Sequence, residues 1–152
     1  MCGIAGIFET QCERVPDLKV LDRMGRAIAH RGPDDQGIMT GAHWGLVNRR
    51  LAIIGVASGH QPIPNEDGTV WVTFNGEIYN HRALRKQLTD RGHRLATDTD
   101  TEVIVHLYEE HGSDLLNHLE GMFGFALVDT RERTLLLARD RFGQKPVFYH
   151  MD

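Results

Sequence analysis

The stretch TVWVTFNG, residues 69–76, constrains the fold more than any other part of the chain. Val70, Val72 and Phe74 alternate with Trp71 and Thr73, so a strand here carries bulk on both faces and needs cover on both sides. Other segments supply candidate cover. CGIAGIF reads as a strand ended by the polar ETQCER. Pro16 and Asp17 then precede Leu18, Leu21, Met24 and Ile28, whose spacings of three and four place them on one helical face. HRGPDDQG is rich in turn formers and reads as a loop. HWGLVNRRLAIIG reads as a strand pair or one long bent strand, and GHQPIPNEDG as a loop.

In the second half, Asn80 is placed to cap a helix with Leu84 and Leu88 on one side, ending at DRG. Thr99 followed by Glu102 ahead of an apolar run has the capping-box pattern of a helix start. SDLLNHL reads as a short helix capped by Ser113. MFGFALVDTRERTLLLARDRFG has two apolar runs around a polar turn and predicts a β-hairpin. Helices are not interleaved strand by strand, so the order predicts an α+β domain rather than a doubly wound parallel sheet. The strand-like PVFYH stops two residues before the C-terminus, which gives the expectation of a domain truncated at that end.

A length of 152 residues fits one domain of roughly 100–200 residues. The formal charge of −4, with 17 Lys and Arg against 21 Asp and Glu and no basic run, argues against a nucleic-acid partner. No apolar stretch approaches the ~20 residues that span a bilayer. The first residues lack the basic and apolar regions of a secretory signal, so the expected compartment is the cytoplasm. Two cysteines, Cys2 and Cys12, do not make a disulfide framework. No HExxH, CxxC or GxxxxGK[ST] occurs, and the nine histidines show no zinc spacing. His30, His81 and His106 are therefore expected at the surface or in caps, and no metal is expected.

Four places can carry chemistry. A cysteine near a terminus is normally a small, inert hydrophobe. With Met1 removed, however, Cys2 holds a thiol and a free α-amine whose reference pKa of about 7.7–8.0 lets it take the thiol proton near neutrality. In FNGEIYN, the Asn75 amide and the Gly76 N–H can stabilise an oxyanion, a role worth about 3–4 kcal/mol per donor; NG is also a common tight turn. Arg50 offers a planar fork for a carboxylate, although most arginines, such as the adjacent Arg49, are solvated. Asp100 suits an ammonium group, and a helix first turn favours a carboxylate there in any case.

A nucleophile, an oxyanion donor pair, a carboxylate clamp and an ammonium partner describe a site for an α-amino acid with a reactive side-chain carbonyl, such as glutamine. The motifs MCGIAGIF, HRGPDDQG, NRRLAIIG, GHQPI, FNGEIYNH, DTDTEVI, LEGMFGFALVD and LLLARDRFGQKPVFY span nearly the whole chain. In that order the sequence resembles the N-terminal glutaminase domain of glutamine-hydrolysing asparagine synthetases, class II glutamine amidotransferases with the N-terminal-nucleophile fold.

The resemblance implies a four-layer α/β/β/α sandwich over residues 1–152, a partial type 2 amidotransferase domain without its synthetase domain. It implies that Cys2 attacks the glutamine amide, that Asn75 and Gly76 form the oxyanion hole, and that Arg50 and Asp100 bind the α-carboxylate and α-ammonium. Glu77 would help hold the amino-acid end, and Leu51 and Ile53 would offer backbone contacts. The implied partners are glutamine and a synthetase domain of the parent chain, which alone would use ATP and Mg; this chain needs no cofactor, and a homodimer stays open. The same motifs occur in related amidotransferases that act on other carboxylates, and an inactive glutamine-binding fragment is a further alternative.

Overall fold

The computed structural model describes residues 1–51 and 59–151. Strands β1 (Gly3–Phe8), β2 (Asp35–Thr40) and β3 (Trp44–Arg50) form one sheet in the order β1-β3-β2. Strands β4 (Ile63–Pro64), β5 (Val70–Ile78), β6 (Gly121–Asp129) and β7 (Thr134–Arg139) form the other in chain order. Every strand pair is antiparallel. Helix α1 (Leu18–Ala27) covers the first sheet, and α2 (His81–Asp90) and α3 (Val103–His111) lie on the second. The sheets pack on each other between these helical layers, giving the expected α+β, four-layer α/β/β/α sandwich.

Local chemistry accounts for each layer. Asp17 caps α1 by accepting the Lys19 N–H at 2.8 Å. Leu21 is fully buried, and a Cβ at Gly25 would stand 3.0 Å from Val47 Cγ1, so the helix can lie close on β3. On the far side, Val70, Val72, Phe74 and Ile78 of β5 meet Leu84 and Leu88 of α2 and Val103, Ile104 and Leu107 of α3. Each such burial contributes about 1.5–3 kcal/mol. Between the sheets, Trp44 and Leu46 pack with Ala126 and Val128, flanked by Phe8, Met39 and Trp71. Both faces of β5 are thus covered, as its alternation demands.

Several local expectations are corrected. The end of HRGPDDQG belongs to β2, which pairs with β3 from Asp35↔Arg50 to Thr40↔Gly45; its turn-forming residues disguise an edge strand. Of HWGLVNRRLAIIG, Trp44–Arg50 is one strand and residues 52–55 lie outside the described residues; GHQPIPNEDG, expected as a loop, contains the two residues of β4. Leu18 is 59% exposed and lies off the buried face of α1. Asn80 stands at the α2 N-cap, but its side chain instead donates to the His118 carbonyl at 2.8 Å and accepts from the Glu120 N–H at 3.1 Å.

The Thr99–Glu102 capping box does not form. The Glu102 carboxylate is taken by the N–H groups of Ala96 at 2.6 Å and Thr97 at 2.7 Å, so α3 begins at Val103 and Asp100 sits in the preceding loop. Ser113 lies inside a 3₁₀ turn, Gly112–Asn117, and caps nothing. Residues 146–151 form no strand; β7 is the sheet's edge among the described residues, and an apolar alternation without a ladder partner stays irregular. His106, expected at the surface, is 0% exposed.

Asp140 organises the chain as it leaves β7. Its Oδ1 accepts from the Phe142 and Gln144 N–H groups at 3.1 and 3.0 Å, and its Oδ2 from Phe123 and Lys145 at 3.2 and 3.0 Å. Burial opposes ionisation, but these backbone donors outweigh it and hold the carboxyl below its ordinary value of 3.8. A carboxylate with a depressed folded pKa stabilises the fold above its unfolded value, and the gain is lost as pH falls through the folded one. Asp140→Asn should therefore lower the urea midpoint near neutrality and flatten the steep acid limb below pH 3.8. Parallel limbs for the two proteins would refute this.

Candidate active site

Strand parity assembles the site. On β3, Trp44, Leu46 and Asn48 face the second sheet, which points Arg50 the same way at the strand's end. On β5, Trp71 and Thr73 face the first sheet, and Asn75 and Glu77 follow them. On β1, Phe8 faces inward while Gly3 meets Ile28 behind the sheet, so Cys2 falls on the inward parity. A cavity of about 110 Å³ opens at this end of the sandwich. It is lined by Cys2, Arg50, Leu51, Asn75, Gly76, Glu77 and Asp100, among others, so it gathers the sequence-predicted site residues except Ile53, which lies outside the described residues.

Cys2 is half-buried and reduced, with its Sγ 3.8 Å from the Leu51 carbonyl oxygen. Arg31 Nε donates to the Cys2 carbonyl at 3.1 Å and fixes its backbone. The Asn75–Gly76 pair lies inside β5, paired with Gly124 and Phe123, so the tight-turn reading of NG is overturned. A Cβ at Gly76 would run into the Met122 carbonyl and Phe123 Cα, so glycine is needed there for the close approach of β6.

The ladder also orients the backbone. Thr69 and Tyr79 bond to Thr130 and Glu120, and alternation along an antiparallel pair then turns the N–H groups of Phe74, Gly76 and Ile78 away from β6. Gln61 Oε1 accepts the Phe74 N–H at 2.7 Å, and Asp100 Oδ2 accepts the Ile78 N–H at 2.9 Å. The Gly76 N–H lies between them on the cavity edge.

Asp100 and Arg50 are both buried. Burial pushes the Asp100 carboxyl above 3.8, against the Ile78 N–H and the His81 charge, which favour its ionised form. Such a group gains from a cation brought next to it. Arg49, by contrast, points to the α1 side, where Nη1 donates to Gln36 Oε1 at 2.6 Å.

The sequence did not single out several contributors. Asn48 Nδ2 donates to Gln61 Oε1 and Thr73 Oγ1, both at 3.1 Å, and so ties the two sheets together behind the site. A Cβ at Gly59 would overlap the Arg50 guanidinium and Thr99, so this glycine leaves room for that guanidinium. Lys145, delivered by the Asp140 loop, lines the cavity with its Nζ 3.0 Å from Met1 Sδ. Their common signal is membership in the motifs NRRLAIIG, GHQPI and LLLARDRFGQKPVFY, but nothing in their composition announces a role. A larger hollow of about 420 Å³ opens at the opposite end of the strands, around Trp44, Trp71 and the Glu13–Arg133 pair; none of the sequence-predicted site residues lines it.

Two antiparallel sheets stacked between helical layers, with Cys2 on a polar cavity at one end, form the sandwich that the resemblance implies. The chain belongs to the family described as "Glutamine amidotransferase domain", whose model matches residues 1–152. It is 47% identical over 152 residues to a glutamine-hydrolysing asparagine synthetase of Asparagus officinalis, covering 97% of this chain and 25% of that protein. A similar protein 3 of Arabidopsis thaliana is 43% identical over 148 residues, with the same coverages. The chain thus spans about a quarter of the length of the curated relatives it matches. Among solved structures, glutamine phosphoribosylpyrophosphate amidotransferase from B. subtilis shares the fold, with a TM-score of 0.66 at 20% identity over 90% of this chain and 37% of that one. Among the described residues, no helix is long and apolar enough to cross a membrane.

Proposed function

We propose that this chain hydrolyses glutamine through Cys2 and, within a longer protein, passes the ammonia to an ATP- and Mg-dependent synthetase domain that makes asparagine from aspartate. The observation that carries the reading is the convergence of Cys2, Arg50, Asn75, Gly76 and Asp100 on one cavity. With Met1 gone, the α-amine of Cys2 takes the thiol proton and the thiolate attacks the side-chain amide carbon of glutamine. Asn75 Nδ2 and the Gly76 N–H hold the oxyanion. Collapse breaks the C–N bond, the protonated amine gives its proton to the leaving group, and ammonia departs. Water then cleaves the γ-glutamyl thioester to glutamate and restores the thiol. Arg50 binds the α-carboxylate, Asp100 the α-ammonium, and Glu77 sits at the rim; Leu51 contributes its backbone.

Met1 also lines the cavity, so its removal both frees the amine and opens the mouth. Protein of intact mass lacking Met1 should release glutamate from glutamine and be labelled once, on Cys2, by the electrophilic analogue diazo-oxo-norleucine. Unlabelled, inactive protein of that mass would overturn the proposal. Gly59→Ala should leave the fold intact and lower kcat/KM for glutamine about tenfold to a hundredfold by displacing Arg50, most of it through KM. An unchanged KM would remove Arg50 from the clamp.

A further inference from the structure

Away from the glutamine cavity, a second cluster of side chains lies on the outer helical face. Glu66, from the loop between β4 and β5, His93, from the segment after α2, and His106 and Glu109, one turn apart on α3, bring four donor atoms within 4.8 Å of one another. Their contacts run 3.2 Å from His106 Nδ1 to Glu66, 3.4 Å from His106 Nδ1 to Glu109, 3.4 Å from His93 Nδ1 to Glu66 and 3.8 Å from His93 Nδ1 to Glu109. A tetrahedral zinc with bonds of 2.0–2.1 Å separates its ligands by about 3.3–3.4 Å.

His106 supplies the independent sign of a ligand. It is fully buried, yet neither ring nitrogen completes a hydrogen bond among the described residues. Its Nδ1 stands 3.2 Å from Glu66 and 3.4 Å from Glu109 without hydrogen-bond geometry to either, a costly position for a buried imidazole, and it faces the centre of the cluster. Both rings present Nδ1 inward and turn Nε2 toward a further carboxylate: Glu110 at 3.1 Å from His93 and Glu102 at 3.7 Å from His106. That is how a ligating histidine is oriented by an outer acid. Glu109 is held through its other oxygen by Asn65 Nδ2 at 2.8 Å, and Glu66 by the Arg94 N–H at 2.9 Å.

We infer that Glu66, His93, His106 and Glu109 form a structural site for one zinc-class divalent cation. Two neutral imidazoles and two carboxylates balance its charge, and mixed nitrogen and oxygen ligands select against Mg and Ca. The ion clips the β4–β5 loop, the segment after α2 and α3 together. Glu102, behind His106, also holds the loop that carries Asp100, so the clip braces one wall of the cavity from outside.

The full chain, stripped of metal, is titrated with Zn²⁺ alone near neutral pH, with Co²⁺ as the spectroscopic probe. One equivalent should bind and raise the melting midpoint, and the cobalt form should show intense tetrahedral d–d bands without a sulfur charge-transfer band. Glu109→Gln, which keeps the bond to Asn65, and His93→Gln should each weaken binding about a hundredfold while circular dichroism stays native. Should His93→Gln fail to fold, Glu109→Gln decides alone. No binding, a sulfur band from Cys2 or Cys12, or binding unchanged in Glu109→Gln overturns the site.

Discussion

Cys2→Ala should cut glutamate release to a trace and prevent labelling by diazo-oxo-norleucine, while its stability stays within about 1 kcal/mol of the parent's. The side chain is half-buried and approaches the Leu51 carbonyl at 3.8 Å, so truncation to alanine removes a single sulfur from a partly open position. The chemistry loses everything that depends on a covalent step. Oxyanion donors and substrate binding remain, so a residue of catalysis can survive, but removing a nucleophile from a hydrolase costs on the order of 10⁶ in kcat. Cys2→Ser separates the thiol from the amine: it keeps the amine as base and offers a poorer nucleophile. Glutamate release by Cys2→Ala at more than a thousandth of the parent rate would sink the thioester route.

Asp100→Asn should raise KM for glutamine by about a hundredfold or more, for the ~3 kcal/mol lost when one partner of a buried charge pair is removed, with a much smaller change in kcat. Asparagine can still accept the Ile78 N–H, so the loop should hold its place. The pH profile gives a second reading. Burial raises the Asp100 carboxyl above 3.8; kcat/KM should therefore fall on the acid side as Asp100 takes up a proton, from a pH higher than an ordinary aspartate would give. Asp100→Asn should lack that limb. The stability sign is the reverse of the Asp140 case: with a raised folded pKa, the glutamine-free fold loses stability as pH rises through that value, and bound glutamine should cancel the loss. An acid limb retained in Asp100→Asn assigns the titration to another group.

Much of this was readable in one dimension because it depends on near neighbours. Strand alternation in 70–74 and the apolar runs around DTRER dictate covered strands and a hairpin, and Asp17 caps α1 where a capping residue is expected. The parity of residues 48 and 50 on β3, or 73 and 75 on β5, is likewise local, and it puts Arg50 and Asn75 on facing sides once the sheets are stacked. Local rules failed where a distant partner competed for a side chain. Glu102 turned to Ala96 and Thr97 instead of capping with Thr99, and Asn80 bridged to His118 and Glu120. The edge strand β2 was hidden because its pairing to β3 outweighs turn-forming composition.

The sequence by itself determined the central strand, the C-terminal hairpin and the α1 helix, the ordered motifs that carry the family resemblance, and the place of Cys2 beside Met1. Only the tertiary structure decided that Gly59 makes room for Arg50, that Gln61 and Asn48 tie the sheets behind the cavity, and that His93 and His106 meet Glu66 and Glu109. These are contacts between segments far apart in the chain. Their spacing leaves no periodic trace, because what brings them together is the stacking of two sheets and the packing of helices on them.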